Sequence, residues 1–254
     1  MKKILMIMAL CISMLSDLQA QVFYRYDAKL DGRIPVTIAL QEDNGTHVAG
    51  YIYYPKAKNP APIMVIGSVM HYPDNEAVYY LNEYQSDGNI TGTISIQREK
   101  GELQGTWTNP KTLKEMKLTG IAVSRQRPEW FTESLLIPED PGDIGHEYSF
   151  QQWSPQYGSN MGGNITFRAA GKNKVHFECM NAWHNIAEGN SEAGRPAVLD
   201  GNVFEYREVN ECHYAFRATF FRRFVVLETI SGGESTGCFG MGAAFDGVYI
   251  KVKK

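Results

Sequence analysis

Ile90-Thr-Gly-Thr-Ile-Ser-Ile96, Glu99-Lys-Gly-Glu102 and Leu103-Gln-Gly-Thr-Trp107 together decide the fold. Apolar residues fall at every second position, the period of a strand with one buried face. Glu99–Glu102 reads as the turn between two such strands. Gly92 and Gly105 lie in phase with the apolar residues, and Val48-Ala-Gly-Tyr-Ile52 repeats the device. An inward strand glycine lets a sheet bend sharply and leaves room for a large side chain from the opposite wall.

The same alternation extends outward in both directions. Ile34, Val36, Ile38 and Leu40 share a face, Glu42-Asp-Asn-Gly-Thr46 turns the chain, and apolar runs follow at Ile63–Ile66 and Val78–Tyr84. Ser86-Asp-Gly-Asn89 is a hairpin signal, and Met116 and Leu118 mark the last strand of this half. About eight antiparallel strands with inward glycines predict a small closed barrel over 21–123, which removes exposed sheet edges. A flat sandwich is the alternative. In outline this half resembles an avidin- or lipocalin-type meander, a likeness that identifies no ligand.

Residues 124–145 break the rhythm. Pro128, Pro138 and Pro141 with Glu139, Asp140 and Asp143 read as a polar connector, although Trp130, Phe131 and Leu135-Leu-Ile137 predict that part of it packs down. Strand patterns resume over 146–254. Ile165 and Phe167, then Val175, Phe177 and Cys179, then Val203–Tyr206 and the alternating Cys212, Tyr214, Phe216, Ala218 and Phe220 precede Phe224–Thr229 and Val248, Ile250 and Val252. Met180–Glu192 is less regular and reads as a loop or a short helix. The expected class is all-β, with two small antiparallel β-barrel or barrel-like domains.

The first residues read as a secretory signal peptide. Lys2 and Lys3 precede an apolar stretch, Ile4–Leu15, and Ser16-Asp-Leu-Gln-Ala20 supplies a cleavage region, with cleavage expected after Ala20. That stretch is shorter than the roughly 20 apolar residues a spanning helix needs. A periplasmic or secreted protein with no membrane span is therefore expected. Leu10 before Cys11 is not the small residue that a lipid-attachment site needs. Of 254 residues, 43% are hydrophobic and 21% charged, and the net charge of −3 carries no basic run that would attract nucleic acid. Without Cys11, an odd set of Cys179, Cys212 and Cys238 remains, which in an oxidising compartment suggests one disulfide and one spare thiol. Cys179, in phase with Val175 and Phe177, reads as a buried thiol.

From about residue 193 to 251, Gly194-Arg-Pro-Ala-Val-Leu-Asp-Gly-Asn202, Tyr206, Cys212-His-Tyr-Ala-Phe216, Gly237-Cys-Phe-Gly-Met-Gly242 and Phe245-Asp-Gly-Val-Tyr249 follow in order. This arrangement resembles the C-terminal part of LprI-type lysozyme-inhibitor-like and related exported bacterial proteins. The chain reads Gly-Cys-Phe-Gly where that pattern has Cys-Gly-Phe-Gly. The resemblance implies a Cys212–Cys238 disulfide between neighbouring strands, closing a loop of about 25 residues for roughly 3 kcal/mol. It also makes a lysozyme-like protein a possible partner.

Motifs for catalysis are few. The glycine-rich stretch around Cys238 offers no positioned histidine base from His176, His184 or His213, so a turn explains it as well as a nucleophile does. His176, Cys179 and His184 lack the spacing of a zinc set, and no metal or cofactor is expected. A glycosidase needs two carboxylates about 5–10 Å apart, and nothing pairs Glu83, Glu178, Glu205 or Glu228. Tyr51, Tyr53, Tyr80 and Tyr84, on faces opposite the apolar runs, are candidates with Trp107 for binding a glycan or small molecule. The reading is an exported non-catalytic binding or inhibitor-like protein. The alternatives are an extracytoplasmic hydrolase with a site between the domains, and a structural envelope protein.

Overall fold

The computed structural model describes residues 22–43, 46–139, 146–183, 185–191, 195–207, 213–232, 239 and 243–252. The stretch read as a signal peptide, Cys212 and Cys238 lie outside these residues. Seventeen strands account for most of the described chain, and the one helical element is a single 3-10 turn, Pro73–Asn75.

Eight strands form the first ring: β1 (Val22–Leu30), β2 (Ile34–Glu42), β3 (His47–Tyr53), β4 (Pro62–Tyr72), β5 (Glu76–Tyr84), β6 (Asn89–Glu99), β7 (Glu102–Thr108) and β8 (Glu115–Ser124). Each pairs antiparallel with the next, and β8 returns to β1 through pairs such as Leu30↔Leu118. The barrel is closed, so the sandwich alternative fails. The β6–β7 turn is the tight hairpin the sequence expects, with Lys100 at φ 49° and Gly101 at φ 85°. Such turns match the right-handed twist of the flanking strands.

The inward glycines do what their phase implies. A Cβ on Gly92 would stand 2.5 Å from Glu83 Oε2 and closer still to the Trp107 indole nitrogen. At Gly50 and Gly105 the obstacle is the neighbouring strand's backbone, as expected where the sheet coils tightly. Val36, Ile38 and Leu40, with Val48, Ile52, Val65, Leu81, Ile94, Ile96, Leu103 and Leu118, fill the barrel's middle.

The second half contains β9 (Glu147–Ser154), β10 (Ser159–Ala169), β11 (Lys174–Trp183), β12 (Asn185–Asn190), β13 (Ala197–Asp200), β14 (Val203–Arg207), β15 (Ala215–Phe221), β16 (Phe224–Ser231) and β17 (Gly247–Val252). Their pairings also run in a ring, from β9 through β10, β11, β13, β14, β15 and β16 to β17 and back to β9. Beyond the two β11–β13 pairs, β12 takes over the same edge of β11. Met180–Trp183 thus completes a strand and Asn185–Asn190 forms another, where a loop or short helix was expected. The alternation there is weak because Met180 and Ile186 point outward, exposed, while Asn181 is buried.

The two rings meet through their outer faces. One apolar cluster joins Ala39, Ala49, Tyr51, Met64 and Ile66 of β2–β4 to Phe221, Phe224 and Val226 of β15–β16. The connector packs into this seam, as its apolar residues predict: Phe131, Leu135 and Leu136 are buried. Gln41 accepts a hydrogen bond from Leu135 N, and Pro138 bridges to Phe221. His47 adds a polar contact, its Nδ1 2.8 Å from Asp43 and its Nε2 3.9 Å from Glu228. Desolvation alone would lower its pKa, but the Asp43 hydrogen bond and both carboxylate charges outweigh it and raise the value.

Candidate functional site

A binding barrel would show an open, lined mouth, so the ends of the first ring come first. At one end Glu42 and Arg98 are both buried, with Arg98 Nη1 3.6 Å from Glu42 Oε1. Tyr79 donates to the same carboxylate oxygen at 2.6 Å, and His71 lies 3.4 Å from the other. The guanidinium stacks on Tyr24, 4.1 Å from its centroid. Burial, and then the neighbouring Tyr26 and Glu42, push the Tyr79 phenol far above its usual range, so it stays a proton donor. Arg98 Nε and Nη1 and Tyr26 Oη are buried without a hydrogen bond of normal geometry. This cluster closes the end with a paired charge and two rings.

At the other end Glu83 is 2% exposed and accepts a 2.5 Å hydrogen bond from Tyr54. Thr91 Oγ1 donates weakly to Oε2 at 3.5 Å. Desolvation raises the Glu83 pKa against the opposing pull of Tyr54, Trp107 and Thr91. Trp107 lies within the ring beside it, in the space Gly92 leaves.

The other carboxylates are also accounted for. Glu205 binds Arg217 at 2.6 Å, Glu178 lies 3.5 Å from Arg168, and Glu228 faces His47. No three His, Cys, Asp or Glu side chains among the described residues converge as a metal set. His176 turns to the outer side and meets Ser191 at 3.0 Å, whereas Cys179 points inward, where burial pushes its thiol up to about 12.

The second ring is filled with aromatics. Phe167, Phe204, Phe216 and Phe220 are wholly buried, and Phe167 meets Phe220 edge-on at 4.7 Å. Aromatic pairs of this geometry contribute about 0.5–1.5 kcal/mol each beyond area burial. The Asp-Gly-x-Tyr run has a structural role here: Asp246 accepts from Thr229 N at 2.7 Å, and Tyr249 donates to Phe245 O at 2.8 Å.

The tyrosines expected as an aromatic platform do lie on the outer face, but they do not share an open surface. Tyr51 packs edge-on against Phe131 and receives a hydrogen bond from Arg223, so the connector and second ring cover it. Tyr84 is buried in the same cluster, Tyr53 stacks on Trp130, and only Tyr80 is half exposed.

Outer grooves remain among the described residues. One, along β1, β2, β7 and β8, is lined by Arg25 and Asp27, which pair with each other, and holds no aromatic ring. Another, at the β6–β7 hairpin, is lined by Gln97, Glu99, Lys100, Glu102 and Gln104 and holds none either. A third, of about 390 Å³, lies where β6 and β9 run parallel, with Asn89 opposite Gln151 and Ile90 opposite Gln152. Its lining includes Gln85, Asn89, Asn109, Asn160, Lys111 and Trp153, which no sequence motif groups. The three segments are brought together by pairing between residues some 60 positions apart, which leaves no local signal. Comparison with known family models, curated proteins and solved structures finds no match.

Proposed function

We propose that this is an exported, non-catalytic binding protein that engages its partner from the outer surface of the paired rings. A lysozyme-like enzyme is the partner that the C-terminal resemblance suggests. The observation supporting this reading is that both rings are filled by their own side chains, with Trp107 in the first and Phe216 and Phe220 in the second. Eight-stranded barrels either pack their interior or hold one small ligand, and packing leaves the outside as the working surface.

The test is to titrate the oxidised protein, residues 21–254, against a panel of lysozymes and follow the rate of cell-wall lysis. Binding of apolar fluorescent probes is measured in parallel. Stoichiometric inhibition with no saturable probe uptake is expected. One-to-one uptake of a small apolar ligand inside a ring would overturn the outer-surface reading. No inhibition at high micromolar concentration would remove lysozyme as the partner.

A further inference from the structure

Resting on that outer-surface reading, we propose that the groove between the β5–β6 turn, the segment Asn109–Lys111 and the β9–β10 hairpin is a subsite for a neutral, hexose-based oligosaccharide. Its volume of about 390 Å³ lies within the range of small-ligand sites. Four carboxamides line it, Gln85 and Asn89 from one wall, Asn109 from a second and Asn160 from a third. A carboxamide offers a donor and an acceptor together, as a sugar hydroxyl does, and neither group needs a charge.

Internal hydrogen bonds fix which halves remain free. Asn109 Oδ1 accepts from Lys111 N at 2.9 Å and Thr112 N at 3.0 Å, which leaves its Nδ2 as a donor. Asn89 Nδ2 donates to Asp87 at 2.6 Å, which leaves its Oδ1 as an acceptor. Asn160 Nδ2 reaches Gln151 only at 3.5 Å.

Trp153 supplies the apolar element. The ammonium of Lys111 sits 5.3 Å from its ring centroid, so this face already attracts positive charge through the ring quadrupole. The C–H face of a pyranose carries the same partial positive character and suits the same position. Lys111 is exposed on a flexible stem, so it can swing aside. The walls are held by the β6–β9 pairing and by the 3.0 Å bond from Gln151 N to Gly88 O, so the groove is preformed.

The experiment titrates the purified protein with gluco-, manno-, galacto- and chito-oligosaccharides and with oligogalacturonides by calorimetry and repeats this with Trp153→Ala, Asn109→Ala, Asn160→Ala and Lys111→Ala. One neutral series is expected to bind one-to-one. Trp153→Ala and Asn109→Ala should weaken it at least tenfold, Asn160→Ala severalfold, and Lys111→Ala not at all. Asn160 is exposed, so its variant tests the groove even where the tryptophan variant folds poorly. The inference is overturned where no series binds at millimolar concentration, where binding ignores all three groove substitutions, or where only uronate sugars bind and need Lys111. Lysozyme inhibition without sugar binding overturns the groove alone, whereas apolar ligand uptake into a ring overturns the reading beneath it.

Discussion

The side chain of Gln41 in β2 holds the connector backbone, its Oε1 accepting the amide of Leu135 at 3.0 Å while its Nε2 donates to Ser134 at 2.8 Å. Gln41 is buried in the seam where the outer faces of the two rings share one apolar cluster. Separating the rings would expose Tyr51, Met64, Phe221 and Val226 together. The two rings should therefore unfold in a single transition, with coincident fluorescence and circular dichroism curves in urea. Gln41→Ala leaves a buried amide unpaired and should cost about 1–3 kcal/mol. Two separate transitions in the wild-type protein would show that the seam does not couple the rings.

Gly92 is an interior position whose space is taken by side chains. A methyl group there collides with Trp107 and with the Glu83 carboxylate, which Tyr54 holds in place. Gly92→Ala should destabilise by about 1–3 kcal/mol through overpacking. Gly101→Ala has no steric neighbour but requires an alanine at φ 85°. Its cost should be conformational and should leave the Trp107 near-ultraviolet signal unchanged. Equal near-ultraviolet changes in the two variants would contradict the distinction.

Glu83 should make stability fall as pH rises. Burial raises its folded-state pKa above the ordinary 4.5, so the folded protein binds the proton more tightly than the unfolded chain does. Its contribution is therefore best below about 4.5 and worsens until pH passes the folded-state value. Glu83→Gln removes this dependence. Its urea midpoint relative to wild type should improve between pH 4 and pH 8. A constant offset across that range would mean that burial leaves the Glu83 pKa where it is in the unfolded chain.

Cys179 should be unreactive in the folded protein, because burial holds its thiol pKa near 12 and little thiolate forms. Ellman's reagent should find no fast thiol under native conditions. In urea without reductant, residues 21–254 should release one thiol where Cys212 and Cys238 are joined, and three where they are not. That count tests the disulfide implied by the C-terminal resemblance.

Residues 90–107 show why much of the fold was readable. Period-two alternation and in-phase glycines report on a strand's own two faces, and a run of such strands with tight turns closes into a ring. The inward placement of Cys179, the packing-down of Phe131 and Leu135, and the Lys100-Gly101 hairpin follow from the same local rules. Around Met180–Asn190 the rules failed. A buried Asn181 and exposed Met180 and Ile186 invert the usual sides, and the strand is fixed by its pairing with β11.

By itself the sequence determined most of the strands and their inward faces, because each depends on neighbours within a few residues. What the outer faces meet was decided only by the tertiary structure. Alternation assigns Tyr51, Tyr80 and Tyr84 to the outside alike, yet the second ring buries Tyr51 and Tyr84 and leaves Tyr80 half exposed. The groove of Asn109, Trp153 and Asn160 arises the same way, from a parallel contact between β6 and β9. A local pattern separates a strand's two sides, but it cannot distinguish water from another sheet.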